Sequence, residues 1–355
     1  MMKSLRSNER SECKFKIDNI VNIEETNIDK ELLSYLKEVK AVIDRLLEID
    51  DVLFVVKNCK GVLNLIVSNS LTGKKFISLI TKGCKNGFNK IPLVNSHPYV
   101  RAYHTAIERL KLNELNKWDP NDQMVRLNAA VTMIRDECRS EAMRQHMRKL
   151  DNTKRVRSKG AKKLIESLRS RYARLEVVRI DLSYRAGKYI DLEEFADALE
   201  EVKRDWEKFR YDLASEVSLP SAVGYLAKLE YGLLSGFHFH VVVIYDGSKH
   251  REDITLAKML GEHWVYQVVT GGEGRYYNCN RHKKKYRYLG IGTLNYYDHA
   301  KYSALVNLVL EYMVKTDYVL ASEAPGERIW FRSADKIPKS LKRLGRPRKL
   351  NRQPC

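Results

Sequence analysis

Eleven residues leave this chain few choices of fold: Gly236-Phe237-His238-Phe239-His240-Val241-Val242-Val243-Ile244-Tyr245-Asp246. β-Branched and aromatic residues bounded by Gly236 and Gly247 read as a strand. Alternate side chains of a strand share a face, so His238 and His240 point the same way, about 7 Å apart along its axis. Phe237, Phe239, Val241 and Val243 take the opposite face and read as core. Tyr225 to Glu230 reads as the preceding strand, with the turn at Gly232 to Gly236. That hairpin returns Glu230 to the side of His238. Two imidazoles and one carboxylate leave coordination positions open for water and substrate, as catalytic metal sites do. The plainer alternative is a pair of half-buried histidines in an ordinary strand.

Charge narrows the partner. Of the net +19, most sits in two stretches: residues 139–174 hold 13 Lys/Arg against 3 Asp/Glu, and residues 331–355 hold 9 against 1. Concentrated positive charge implies a polyanion, and nucleic acid is the first candidate. The candidate DNA contacts are Arg155, Arg157, Lys159, Lys162 and Lys163, the run Lys283-Lys284-Lys285, and Arg346, Arg348 and Lys349. Gly345-Arg346-Pro347 is like the core of a minor-groove-reading hook, although general phosphate attraction explains such a tail as well. None of the 6 cysteines forms a Cys-x-x-Cys pair, so no zinc ribbon or redox motif is expected. The N-terminus lacks a signal-peptide core, and no apolar run is long enough to span a membrane. A cytoplasmic protein is expected.

Along the chain, the polar residues up to about 30 carry no pattern. Leu32, Leu33, Leu36, Val39, Val42, Ile43 and Leu46 predict a helix over 31–47. Residues 52–71 are apolar and fit helix or strand. Pro98 opens a further helix through Tyr103, Ile107 and Leu110, and residues 125–150 read as helical and increasingly basic. From Leu175 to Leu182 the pattern is a strand, with Leu175, Val177, Arg179 and Asp181 on one face. A helix over 191–213, the hairpin, a helix begun by Asp253, a strand near 275–278 and a helix over 299–319 complete the series. This order predicts an α+β fold, an antiparallel sheet with helices packed on one side, preceded by a mostly helical N-terminal region. The expected divisions are 1–120, a basic helical connector 121–174, a catalytic domain 175–322 and a basic tail 323–355.

The last helix supplies a nucleophile candidate. Leu305, Leu308, Val309, Tyr312, Thr316 and Val319 fall on one stripe, which turns Tyr312 toward the sheet. Lys315 is its neighbour one turn on. A nearby ammonium favours phenolate over the ordinary tyrosine value of about 10. Tyr318, six residues past Tyr312, points roughly 120° away on a straight helix. It becomes a second acceptor only if the helix bends. A core aromatic with its hydroxyl at the rim is the alternative for Tyr312.

His238-Phe239-His240 followed by Tyr312-Met313-Val314-Lys315 resembles the HUH (His-hydrophobic-His) endonucleases, the rolling-circle replication initiators and relaxases. In the initiators a carboxylate about eight residues upstream commonly completes the metal site, and Glu230 stands there. Glu230-Tyr231-Gly232, Tyr245-Asp246-Gly247, Trp264, Thr270-Gly271-Gly272-Glu273-Gly274, Gly290-Ile291-Gly292 and Tyr312 through Asp317 are together similar to the inovirus Gp2 family, also called the YagK/YfjJ domain, of filamentous phages, prophages and related mobile elements. The resemblance covers residues 175–322. It implies a divalent ion, Mn2+ or Mg2+, held by Glu230, His238 and His240; imidazole ligands lean toward Mn2+. It also implies that Tyr312 nicks single-stranded DNA at a replication origin, assisted by Lys315, leaving a 5′-phosphotyrosine and a free 3′ hydroxyl for a polymerase. No Gly-x-x-x-x-Gly-Lys-[Ser/Thr] is present, so strand separation would fall to a host helicase.

Two rivals remain at the level of sequence. A cupin matches Gly232 and the His-x-His spacing, but the glutamate it needs next is Ile244 or Tyr245 here. A DNA-binding replication or regulatory protein that does not cleave is the other.

Overall fold

The computed structural model describes residues 27–67, 71–88, 97–185, 188, 195–215, 218–232, 235–315 and 326–334. They form two compact units, one of the described residues up to Asn152 and one of those from Thr153 onward. The border falls inside a single helix. No helix among the described residues is long and apolar enough to cross a membrane.

In the first unit α1 (Asn27–Glu48) buries Leu32, Tyr35, Val39, Val42, Ile43 and Leu46. The ambiguous stretch after it is a hairpin, β1 (Phe54–Cys59) and β2 (Val62–Val67). Its two-residue turn needs positive φ at both positions, and Lys60 (56°) and Gly61 (83°) provide it. Asn58 Oδ1 accepts the Gly61 N–H at 2.9 Å and secures the turn. Next come α2 (Leu71–Lys85), α3 (Pro98–Arg109) and α4 (Pro120–Arg139). Asp119 accepts the N–H groups of Asn121 and Asp122 and caps α4, with Pro120 in the first turn, where its missing N–H costs nothing. The helical pattern over 125–150 is interrupted at Ser140. Its hydroxyl accepts the Met143 N–H and starts α5 (Glu141–Arg171).

The second unit is built on a six-stranded antiparallel sheet. Its strands are β3 (Arg174–Tyr184), β4 (Gly224–Gly232), β5 (Gly236–Asp246), β6 (Gly274–Asn278), β7 (Gly292–Asn295) and β8 (Trp330–Arg332). The spatial order is β6-β3-β5-β4-β8, and β7 pairs with the start of β3. β8 lies inside the stretch read from sequence as tail.

Helices cover both faces, which corrects the one-sided expectation. On one face Trp206 of α6 (Phe195–Ser215) stacks on Phe239 with ring centroids 5.0 Å apart, and Trp264, at the end of α7 (Asp253–His263), meets Phe239 edge-on. On the other, Leu175, Val177, Leu226, Val242 and Ile244 pack against Ala161, Leu164, Ile165 and Leu168 of α5 and against the last helix. The physical reason lies in β5. Beyond the histidines it is apolar at every position from Val241 to Tyr245, so neither of its faces suits water. Asp253 also departs from its expected capping role: Asn280 and Lys283 donate to its carboxylate at 2.7 and 2.6 Å.

The last helix, α8, is not uniform. It runs as α-helix over His299–Ala304, as π-helix over Leu305–Leu310, and as α-helix again over Glu311–Met313. Its buried side chains are Ala304, Leu305, Val306, Val309, Leu310 and Met313, with Val314 buried just past its end. Leu308 and Tyr312 are half-buried, so the predicted stripe is rotated by the wider turns. Thr316, Tyr318 and Val319 lie outside the described residues, as do Arg346, Arg348 and Lys349.

Candidate metal centre

Register assembles the site. Glu230 pairs with His238 and Lys228 with His240 across β4 and β5, while Asp181 pairs with His240 across β3 and β5. Paired residues of an antiparallel sheet share a face. Lys228, Glu230, Asp181 and both histidines therefore project together from the face that α5 and α8 cover. The hairpin expected from sequence is present, with Glu230 beside His238.

Glu230, His238 and His240 can hold a metal ion: one ligand atom from each lies within 4.8 Å of the others. Glu230 Oε2 is 3.2 Å from His240 Nε2 and 3.5 Å from His238 Nε2. The far nitrogens are held elsewhere. His240 Nδ1–H donates to Asp181 Oδ1 at 2.7 Å, and His238 Nδ1–H donates to the Gly236 carbonyl at 3.2 Å. Each bond fixes the ring and leaves Nε2 to face its neighbours, the arrangement metal-binding histidines need. The donor set thus fits a divalent ion on grounds of orientation as well as identity.

The charges are balanced in pairs. Lys228 is 1% exposed and grips Glu230 Oε1, which leaves Oε2 toward the histidines. Arg179, 1% exposed, lies 3.9 Å from Asp181. Burial by itself would raise the Glu230 carboxyl, but Lys228 and His240 outweigh it and hold the group well below its ordinary value. Asp181 behaves alike: burial opposes its charge, and His240 and Arg179 keep it ionised. For His240 burial disfavours the imidazolium, yet Asp181 and Glu230 prevail and lift the ring to about 9.

Tyr312 completes the cluster. Its hydroxyl is 3.4 Å from His240 Nε2, and the two rings meet edge-on with centroids 5.2 Å apart. The Lys315 ammonium is 4.7 Å from the Tyr312 ring centroid and the Arg179 guanidinium 5.0 Å. The neighbouring Glu311 accepts the Ser158 hydroxyl at 2.8 Å and lies 3.8 Å from Lys154 and 3.7 Å from Lys162, so α5 holds this end of α8.

Of the residues singled out in the sequence, the structure brings together Glu230, His238, His240, Tyr312 and Lys315. Among the basic candidates, Arg155, Lys159, Lys163, Lys284 and Lys285 are exposed and Arg157 is half-buried. Lys162 pairs with Glu311, and Lys283 with Asp253 at 2.6 Å. Sequence reasoning gave no role to Asp181, Arg179 or Lys228. A signal existed: strand alternation sets Arg179 and Asp181 among Leu175 and Val177 on an apolar face, and Lys228 on the same face as Glu230. Compared with known proteins, the chain matches no family model, no curated protein and no solved structure.

Proposed function

We propose that this chain nicks and rejoins single-stranded DNA with Tyr312 as nucleophile and a divalent ion, Mn2+ or Mg2+, on Glu230, His238 and His240. This is the HUH-type activity that initiates rolling-circle replication of a phage or other mobile element. One observation carries the reading: the Tyr312 hydroxyl lies 3.4 Å from a nitrogen of the candidate metal-binding trio. A phenol at that distance from a ligand atom suits attack on a phosphate gathered at the same point.

The Tyr312 oxygen bonds to phosphorus as the bond from phosphorus to the 3′ oxygen breaks. The phenol gives up its proton and the departing 3′ oxygen gains one. The products are a 5′-phosphotyrosine and a 3′ hydroxyl, and attack by a 3′ hydroxyl reverses the step. Arg179 and Lys315 flank the ring and favour its negative charge. When bound, the ion would polarise a non-bridging phosphate oxygen. Lys228 offsets Glu230 and Arg179 offsets Asp181, so the ion's own charge remains available to a phosphodiester anion. The exposed basic residues of α5, Lys284 and Lys285, and the C-terminal tail add affinity for origin DNA, with host helicase and polymerase as further partners.

Incubating the full chain with single-stranded oligonucleotides and Mn2+ should yield a covalent protein–DNA adduct. EDTA and His238→Ala should each abolish it without unfolding the chain. Undiminished nicking in EDTA, or in the His238→Ala chain, refutes the metal role. Tight DNA binding with no adduct under any metal would favour the non-cleaving reading.

A further inference from the structure

Between β6 and β7 runs a segment whose composition is out of the ordinary. Arg281-His282-Lys283-Lys284-Lys285-Tyr286-Arg287-Tyr288 holds five Lys/Arg and no acid. Lys283 is committed to Asp253. The other four cations are exposed, and so is Tyr288 at 42%.

Both ends of this segment are pinned to elements that flank the candidate metal centre, β3 at one end and α8 at the other. At its start Asn280 is fully buried; its side chain accepts the Arg179 N–H at 2.7 Å and donates to the Val177 carbonyl at 3.0 Å. Just before it, Tyr277 stands in register with Asp181, the partner of His240, and its ring stacks on His282 at 10° with centroids 5.0 Å apart. Also just before it, Cys279 Sγ is 3.6 Å from Asp181 Oδ2. At its end Gly290 comes so close to α8 that a Cβ there would stand 2.6 Å from the Leu305 nitrogen. The exposed cations thus lie on a short path from the strand edge beside His240 to the helix that bears Tyr312.

We propose that Arg281–Tyr288 is a docking strip for single-stranded nucleic acid, in which Arg281, Lys284, Lys285 and Arg287 take phosphates and the Tyr288 ring stacks on a base. The inference rests on the proposed nicking reaction for its purpose and names the contact that leads the strand to Tyr312. Cations interleaved with an exposed aromatic are what a single strand requires: its phosphates need charge, and its unpaired bases have open faces that duplex DNA keeps stacked. The Arg287 guanidinium lies 5.3 Å from the Tyr288 ring centroid, so the ring is backed by a cation and offers a polarised surface.

The test is equilibrium binding of the full chain to a fluorescent oligothymidylate in EDTA, where no adduct forms, across a salt series. Tyr288→Ala should weaken binding roughly 5- to 150-fold, as expected for one stacked base, while Tyr288→Phe keeps the affinity. A strand of abasic sites of equal length should bind the wild type and Tyr288→Ala alike. Lys284→Gln with Lys285→Gln should flatten the logarithmic salt slope by about 0.7 per lost contact. Wild-type affinity in Tyr288→Ala, or an unchanged slope in the double variant, overturns the proposal. So does a loss confined to duplex DNA. An adduct assay read in parallel separates the two ideas. Strip variants that lose binding in a chain that never forms an adduct refute nicking alone, and normal binding in a chain that nicks refutes the strip alone.

Discussion

Replacing Glu176 by glutamine should make the protein more stable in alkali than the natural chain. Glu176 lies on β3 and is fully buried. Its Oε2 accepts the Thr293 hydroxyl at 2.8 Å, and among the described residues Oε1 has no hydrogen-bond partner. Burial, joined by nearby Asp253 and opposed by Thr293, Lys301 and Lys283, raises its carboxyl from the ordinary 4.5 to about 7. The folded chain therefore holds a proton at this site that the unfolded chain has already lost. Between pH 4.5 and about 7 the folded state binds more protons, so stability falls as pH rises through that window. At about 1.4 kcal/mol per pH unit the loss totals about 3 kcal/mol and is complete above the folded value. Glutamine cannot titrate and escapes it. The amide leaves its NH2 where Oε1 now lacks a partner, which costs about 1 kcal/mol, but equally at every pH. The measurement is urea denaturation from pH 5 to 9 followed by tryptophan fluorescence. Three of the 4 tryptophans, Trp206, Trp264 and Trp330, share a unit with Glu176. The stability difference between the two chains should grow in favour of Glu176→Gln up to about pH 7 and then level off. Parallel curves across that range would refute the reasoning.

Asp181→Asn should lower divalent-metal affinity about 10- to 100-fold by calorimetric titration, because the neutral amide orients the His240 ring less firmly. It also strips buried Arg179 of its counter-charge, so the same variant should lose about 3–5 kcal/mol of stability in melting experiments. Tyr312→Phe should eliminate the DNA adduct with little change in melting temperature, whereas Tyr318→Phe should retain it. An adduct peptide that survives Tyr312→Phe, identified by mass spectrometry, would transfer the nucleophile to Tyr318.

The trio of Glu230, His238 and His240 that could hold a metal ion was legible because it depends on two local rules. Strand alternation puts His238 and His240 on one face, and a short turn bounded by Gly232 and Gly236 sets Glu230 opposite His238. Both rules act within a few residues and leave a readable pattern. The surroundings of the trio are set by partners far along the chain. Asp181 is 59 positions from His240, and its role appears only once β3 pairs with β5. Lys228 was hidden by habit: an ammonium in a strand suggests solvent, yet this one is buried against Glu230. The second helical layer was missed because a continuously apolar stretch such as Val241 to Tyr245 names no direction, and only the wealth of apolar residues on both faces reveals two coverings. Residues 54–67 were ambiguous for a different reason. Their apolar run suits either element, and the decision rests on a turn at Lys60-Gly61 whose lysine adopts the left-handed conformation usually left to glycine or asparagine.

The π-helical turns of α8 hold one residue of slack. A helical wheel drawn from Asp298 at the usual 100° per residue runs ahead of the true helix through Leu305–Leu310, and by Tyr312 the error is roughly a quarter turn or more. Such a segment behaves as an accommodated insertion: the helix widens locally so that the turns before and after it keep their places against the sheet. Deleting one solvent-facing residue there, Asn307, would let the turns close to ordinary α-helix with Tyr312 still beside His240. Adding an alanine after Met313 would leave the tyrosine untouched and shift only the residues from Val314 onward. Adding one between Leu310 and Glu311 would swing Tyr312 away from the histidines by about 100°. The helix therefore absorbs the loss of a residue within Leu305–Leu310 and is exacting from Glu311 to Lys315, where an added residue turns Tyr312 or Lys315 away from its place.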